Sequence, residues 1–237
     1  MKRDAFDEGD QTRRRFLGAA ASTAGLIVSG CGAAGAAEGR GERQSGGAHE
    51  EAEVTPGEDL MQEHGVLERV LLVYDEAAGR LERNEALDRS VVTRAAGIVR
   101  RFVEEYHERL EERFVFPRLE AARREAELVA VLRRQHQRGR EITDQIVRDA
   151  GAGSAPSLAR LLRGFQRMYR PHAAREDTVL FPAFRDVVGR AEYRELGEKF
   201  ESEEHARFGE RGFADTVAEV AGLEAALGIA DLARFTP

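Results

Sequence analysis

One pattern constrains this chain more than any other. The string His-x-x-x-Glu-x-x-x-x-Phe-Pro occurs twice, at residues 107–117 and at residues 172–182. The acid that follows the glutamate is also in register, as Glu112 in one copy and Asp177 in the other. Residues four apart on a helix are neighbours on one face, so His107 with Glu111, and His172 with Glu176, can each reach one small volume. The imidazole offers a neutral nitrogen, and the carboxylate has two oxygens that can bridge two cations. Two such helices facing one another form the centre of a dinuclear site in a helix bundle. The Phe-Pro pairs suit helix ends with a buried ring.

The apolar spacing from Glu58 onward is helical. It predicts helices over about 59–82, 87–115, 125–150 and 157–180, with two more over about 190–209 and 212–227. His64 shares the face of Leu60, Leu67 and Leu71, and His136 that of Leu128, Leu132 and Ile142. The string Gly151-Ala152-Gly153-Ser154 breaks the chain, and Pro156 suits a helix start. Pro171 falls inside the fourth helix, directly before His172, and either kinks it or divides it. The last two helices carry apolar faces (Phe200, Phe208, Phe213, Val217) that must cover the bundle exterior or a second subunit. The tail 228–232 is apolar enough to dock.

Each His–Glu helix is preceded by a helix with one histidine, so the order is His64, His107 with Glu111, His136, His172 with Glu176. A single cysteine excludes a disulfide framework and a CxxC zinc ribbon, which leaves His and carboxylates to hold a metal. One histidine on an apolar face is ordinarily a hydrogen-bonded core residue. Four of them with two glutamates, buried without a cation, would cost several kcal/mol for each unpaired charge. Mixed imidazole and carboxylate ligation favours iron, with manganese or a mixed pair also compatible. The formal net charge of −7 argues against a nucleic-acid backbone as partner.

On those six residues and both Phe-Pro ends, residues 58–185 resemble the hemerythrin-like, or HHE cation-binding, family. The resemblance implies an all-α fold, an up-down-up-down four-helix bundle with a non-haem di-iron site, followed here by two extra C-terminal helices within 186–237. It implies binding of, or reaction with, oxygen or a related small ligand such as peroxide or nitric oxide. A peroxide-decomposing enzyme and an iron storage or sensing protein are the alternatives. Hemerythrins proper carry a further histidine four residues after the third-helix histidine, where this chain has Arg140. That departure puts simple reversible oxygen carriage in doubt. His205 on the fifth helix could supply a nitrogen, although a surface position among Glu203 and Glu204 is the simpler expectation. Glu68 and Glu141, one turn beyond His64 and His136, are candidates for spare ligands or outer hydrogen-bond acceptors. Tyr106 and Tyr169, within a turn of ligands, are candidate donors to a bound ligand or core residues.

Residues 1–31 have a different character. A charged start ending in Arg13-Arg14-Arg15-Phe16-Leu17 leads into a short apolar run and then Val28-Ser29-Gly30-Cys31. The layout is that of a signal peptide. Its core resembles a twin-arginine export signal, and its end resembles a bacterial lipobox, which implies cleavage before Cys31, lipidation of Cys31 and a membrane-anchored protein of the cell envelope. Residues 32–57, rich in Gly, Ala and Glu, read as a flexible tether that includes His49.

Overall fold

The computed structural model describes residues 54–237. Arg13, Arg14, Cys31 and His49, and with them the readings of an export signal, a lipid anchor and most of the tether, lie outside the described residues.

Six long helices account for the described chain: α1 (Pro56–Glu82), α2 (90–121), α3 (Ala126–Ala152), α4 (155–187), α5 (Arg190–Phe208) and α6 (Gly212–Leu227). A short 3-10 turn, Leu232–Phe235, ends the chain, and no strand is present among the described residues. Helix α1 starts at Pro56, inside the stretch read as tether, because Thr55 closes a capping box. Thr55 Oγ1 accepts from the Glu58 amide at 3.4 Å, and the Glu58 carboxylate accepts from the Thr55 amide at 2.9 Å. Pro56 occupies the first turn, where its missing N–H costs nothing. Ser154 caps α4 with its hydroxyl alone, accepting from the Ser157 amide at 3.3 Å, with Pro156 in the first turn. Helix α6 ends at Gly228, whose φ of 68° is the left-handed conformation that glycine adopts without strain.

Helices α2 and α4 change character along their length. In α2, α-helical segments alternate with π-helical ones at Val99–His107 and Glu111–Val115. In α4, the α-helix Ala155–Arg175 gives way to a π segment, Glu176–Leu180, and then to Phe181–Val187. Pro117 and Pro182 supply a physical reason for the two five-residue π segments. A proline ring clashes with the carbonyl four residues back, here that of Arg113 or Thr178. A wider turn relieves the clash, and the preceding phenylalanine amide bonds five residues back, Phe116 to Glu111 and Phe181 to Glu176. The Phe-Pro pairs therefore do not end their helices, as the sequence reading had it; they reset the turn and the helices continue. Pro171 neither divides nor ends its helix. It lies within Ala155–Arg175 on the exposed side, where the carbonyl it leaves without a donor belongs to exposed Arg167.

Helices α1 to α4 pack in a closed ring of neighbours, α1 on α4, α4 on α3, α3 on α2 and α2 on α1. The core between them holds Leu60, Leu67, Tyr74, Phe102, Leu132, Ile146, Leu162 and Phe165, each 2 % exposed or less. Helix α6 lies against α1 and α2, and α5 against α1. Their apolar faces therefore cover the bundle exterior: Phe208 meets Tyr106 edge-on at 5.3 Å, and Phe200 meets Phe114 at 5.7 Å. Arg69 of α1 forks onto Glu224 of α6 at 2.9 and 2.6 Å. The tail docks only in part. Ile229 is buried, whereas Leu232 is 81 % exposed. No described helix is long and apolar enough to cross a membrane.

Candidate metal centre

The six residues singled out in the sequence converge inside the ring of α1 to α4. His64, His107, Glu111, His136, His172 and Glu176 are all buried, none more than 4 % exposed. His64 comes from α1, His107 and Glu111 from α2, His136 from α3, and His172 and Glu176 from α4. The imidazoles form two pairs: the rings of His64 and His107 stand 4.6 Å apart, and those of His136 and His172 stand 5.1 Å apart. Both pairs point Nε2 at the two glutamates. His64 and His172 reach Glu176 Oε2 at 3.3 and 3.1 Å. His107 and His136 reach Glu111 Oε2 at 3.7 and 3.4 Å, and His136 also approaches Glu176 Oε1 at 3.9 Å.

Three groups of three have ligand atoms close enough to hold one cation each; one, Glu108 with Glu112 and His136, lies where Arg140 bonds both glutamates, and the other two are His64 with His107 and Glu176, and His136 with His172 and Glu176. Glu176 belongs to both, which makes it a bridge by position. Glu111 stands opposite it between His107 and His136. Both carboxylate oxygens of Glu111 and of Glu176, together with Nε2 of His107 and of His136, are buried and lack a hydrogen-bond partner of sound geometry. Buried polar atoms are ordinarily satisfied, and six clustered exceptions of ligand type fit a cation-binding centre.

The outer nitrogens are satisfied, one by one, in a pattern that follows the sequence repeat. His64 Nδ1 faces Asp177 at 2.7 Å, and His136 Nδ1 faces Glu112 at 3.2 Å. His107 Nδ1 faces Glu63 at 2.8 Å, and His172 Nδ1 faces Gln135 at 2.9 Å. Each of these contacts fixes the ring and leaves Nε2 aimed inward. The Phe-Pro phenylalanines complete the pattern, Phe181 stacking on His64 at 5.6 Å and Phe116 on His136 at 5.4 Å. Each motif thus supplies a wall and an acceptor for the lone histidine of another helix.

Electrostatics without a cation reflect the crowding. Burial raises Glu111 well above the usual carboxylate range, and the charge of Glu176 raises it further. Burial also opposes the charge on Glu176, but His172 and His64 outweigh it and hold Glu176 low. Burial alone would lower His64, yet its contacts to Asp177 and Glu176 raise it to about 9. His107 is lowered by burial and by the charge of His64.

A second buried polar set adjoins the centre, and the sequence reading passed over most of it. Glu108 accepts from Tyr169 Oη at 2.7 Å and from Arg140 Nη2 at 2.7 Å. Arg140 Nη2 also reaches Glu112 at 2.8 Å. One turn away, Glu104 accepts from Thr143 at 2.5 Å and pairs with Arg100 at 2.7 Å. Burial raises Glu104 to about 7, with Thr143 opposing and Glu108 adding to the shift. Gly139 makes room for this set, because a Cβ there would collide with the Tyr169 hydroxyl. Glu104, Glu108 and Glu112 form a row at four-residue spacing, and Glu63-His64 is matched by Gln135-His136. Both signals were present in the sequence.

The remaining candidates lie elsewhere. Tyr106 packs among Phe102 and Phe208 as a core residue. Glu68 is 48 % exposed beside Arg170, and Glu141 is 50 % exposed and bonded to Arg138, so both are helix-surface acids. His205 lies on α5, part-buried, outside the ring of α1 to α4. Arg140, in place of a fifth histidine, brings a cation of its own instead of a nitrogen ligand.

An all-α protein with imidazoles and carboxylates converging in its core is a cation-binding helical protein. Residues 55–184 match the family described as Hemerythrin HHE cation binding domain, and the chain belongs to that family. It is similar to an uncharacterized protein of Mycobacterium bovis and to one of Mycobacterium tuberculosis strain H37Rv, in each case 46% identical over 232 residues, covering 95% of this chain and 91% of the relative. No solved structure matches.

Proposed function

We propose that this chain holds a pair of iron ions in an up-down-up-down four-helix bundle and uses them to bind or reduce a small oxidant, namely oxygen, peroxide or nitric oxide. One observation carries the reading: two buried imidazole pairs converge on Glu176, with Glu111 opposite and Glu176 Oε2 met by Nε2 of His64 and of His172 at 3.3 and 3.1 Å. His64 and His107 would hold one ion, His136 and His172 the other, with Glu176 and Glu111 bridging. Such a pair, when bound, supplies an open coordination position and two one-electron reductants. The protein's part is to exclude water with Phe116 and Phe181 and to fix each imidazole through its Nδ1 contact, while Tyr169, whose ring lies 5.3 Å from that of His172, ties its hydroxyl to Glu108. Peroxide decomposition at the same centre is the alternative, and Arg140, by removing a nitrogen ligand, favours a reactive or labile centre over a carrier. A twin-arginine signal and a lipid anchor at Cys31 would place the protein at the cell envelope.

The test is metal analysis and a visible spectrum of the full chain beside a His107→Ala, His172→Ala double variant. About two irons per chain, with absorption lost in the variant, is the expected result. No metal above background after anaerobic reconstitution, with the same helical content in both proteins, would overturn the reading. Turnover of peroxide by the loaded protein then separates the enzyme from the binding protein.

A further inference from the structure

The two halves of the centre are alike in their inward atoms and unlike in what stands behind them. Behind His64 and His107 are two carboxylates, Asp177 at 2.7 Å and Glu63 at 2.8 Å. Behind His136 and His172 are one carboxylate, Glu112 at 3.2 Å, and one neutral amide, Gln135 at 2.9 Å. Glu112 is also drawn toward a cation: the same oxygen, Oε1, accepts from Arg140 Nη2 at the shorter distance of 2.8 Å. The buried Glu108 adds a negative charge on this side, but it too is bonded to Arg140, at 2.7 Å. Both groups that face the first pair are carboxylates (Asp177, Glu63), whereas of those facing the second pair only Glu112 is one, and it is shared with two guanidiniums, Arg140 at 2.8 Å and Arg109 at 2.6 Å.

An imidazole whose far N–H donates to a carboxylate is a more basic ligand than one that donates to an amide, and outer partners of this kind change metal affinity about 10–100-fold. A guanidinium close by opposes the arrival of a second cation. Both effects act in the same direction. We infer that the two cation positions fill in a fixed order, the His64–His107 position first and tightly, the His136–His172 position second and weakly. This inference rests on the metal-pair reading. Two binding steps alone would follow from a shared Glu176 in any such centre; the assignment of the tight step to α1 and α2 is what the outer groups add. A protein built this way keeps one ion resident and exchanges the other.

The experiment is a titration of the metal-free full chain with Co(II) in the absence of oxygen, read by equilibrium dialysis and by the visible bands of bound cobalt. Wild type is expected to bind two ions in two steps. His107→Ala should remove the tight step and His172→Ala the weak one. Glu63→Gln should weaken the first step about 10–100-fold and leave the second in place. Gln135→Glu should strengthen the second step by a similar factor, and Arg140→Gln should shift it in the same direction. The last two are gains, which misfolding does not imitate. Loss of the tight step in His172→Ala, or no strengthening of the second step in both Gln135→Glu and Arg140→Gln, overturns the order while leaving the metal pair standing. Failure of wild type to bind any cobalt overturns the metal-pair reading and the order with it.

Discussion

Glu176 is shared by both of the candidate cation positions that contain an imidazole pair. It is fully buried, and the imidazoles of His64 and His172 reach its Oε2 at 3.3 and 3.1 Å. Glu176→Ala is therefore expected to abolish binding at both positions, a loss from two ions to none by elemental analysis. Retention of one ion at wild-type affinity would show that Glu176 serves one side only. At this scale the sequence was legible where ligands repeat at helical spacing, and all six predicted residues converge. It was less legible where the partner lies on another helix. Glu112 and Asp177 were visible as a matched pair, but not that they back His136 and His64. Glu63 and Gln135 passed unremarked because adjacency in sequence hides a contact made across the bundle. Phe116 and Phe181 were read as helix ends, whereas they stack on imidazoles.

At the scale of elements, the two π segments that start at Glu111 and Glu176 belong to the site as much as the side chains do. Each ends at a Phe-Pro pair, and the wider turn ties the backbone of the glutamate to that of the phenylalanine that walls the centre, Phe116 to Glu111 and Phe181 to Glu176. Pro182→Ala restores a backbone N–H and removes the clash with the Thr178 carbonyl, so the turn is free to tighten. The expected outcome is an unchanged helical circular dichroism spectrum with cation affinity weakened by at least about tenfold. Unchanged affinity would show that the π turn is held by its other contacts. Gly139 on α3 carries a second prediction. Gly139→Ala gains helix propensity but sets a methyl against Tyr169, whose ring carbon Cζ would lie 2.8 Å away. A net loss of about 1–3 kcal/mol is expected by denaturant unfolding, eased by pairing it with Tyr169→Phe. A stabilised single variant would show that Tyr169 moves aside freely. Periodicity located these helices well but could not show the π turns, since their cause is a steric clash between a proline and a carbonyl a turn away.

For the molecule as a whole, the four helices of the ring meet around charged groups that repel or go unsatisfied when no cation joins them. Cation binding should therefore stabilise the fold, by about 2.7 kcal/mol when the free ion is at a hundred times its dissociation constant. The pH dependence of that effect follows from His64. In the metal-free protein His64 is raised to about 9 by Asp177 and Glu176 against the opposing effect of burial. A base raised on folding contributes stability that is fully present below its unfolded value near 6.5 and is lost as pH rises through its folded value. Glu104, raised to about 7, is only half-ionised at pH 7, and Glu111 and His136 are raised as well, so the His64 share of the interval from about 7 to 9 is the difference between wild type and His64→Gln. A cation takes the place of that proton, because an imidazole must be neutral to ligate. Metal-free protein should thus lose stability between pH 7 and 9 in chemical denaturation followed by circular dichroism. Loaded protein should not, and cation affinity should rise over the same interval. His64→Gln should make the metal-free profile shallower. A metal-free profile that is already flat, or that rises with pH, would show that His64 is not the proton the cation displaces.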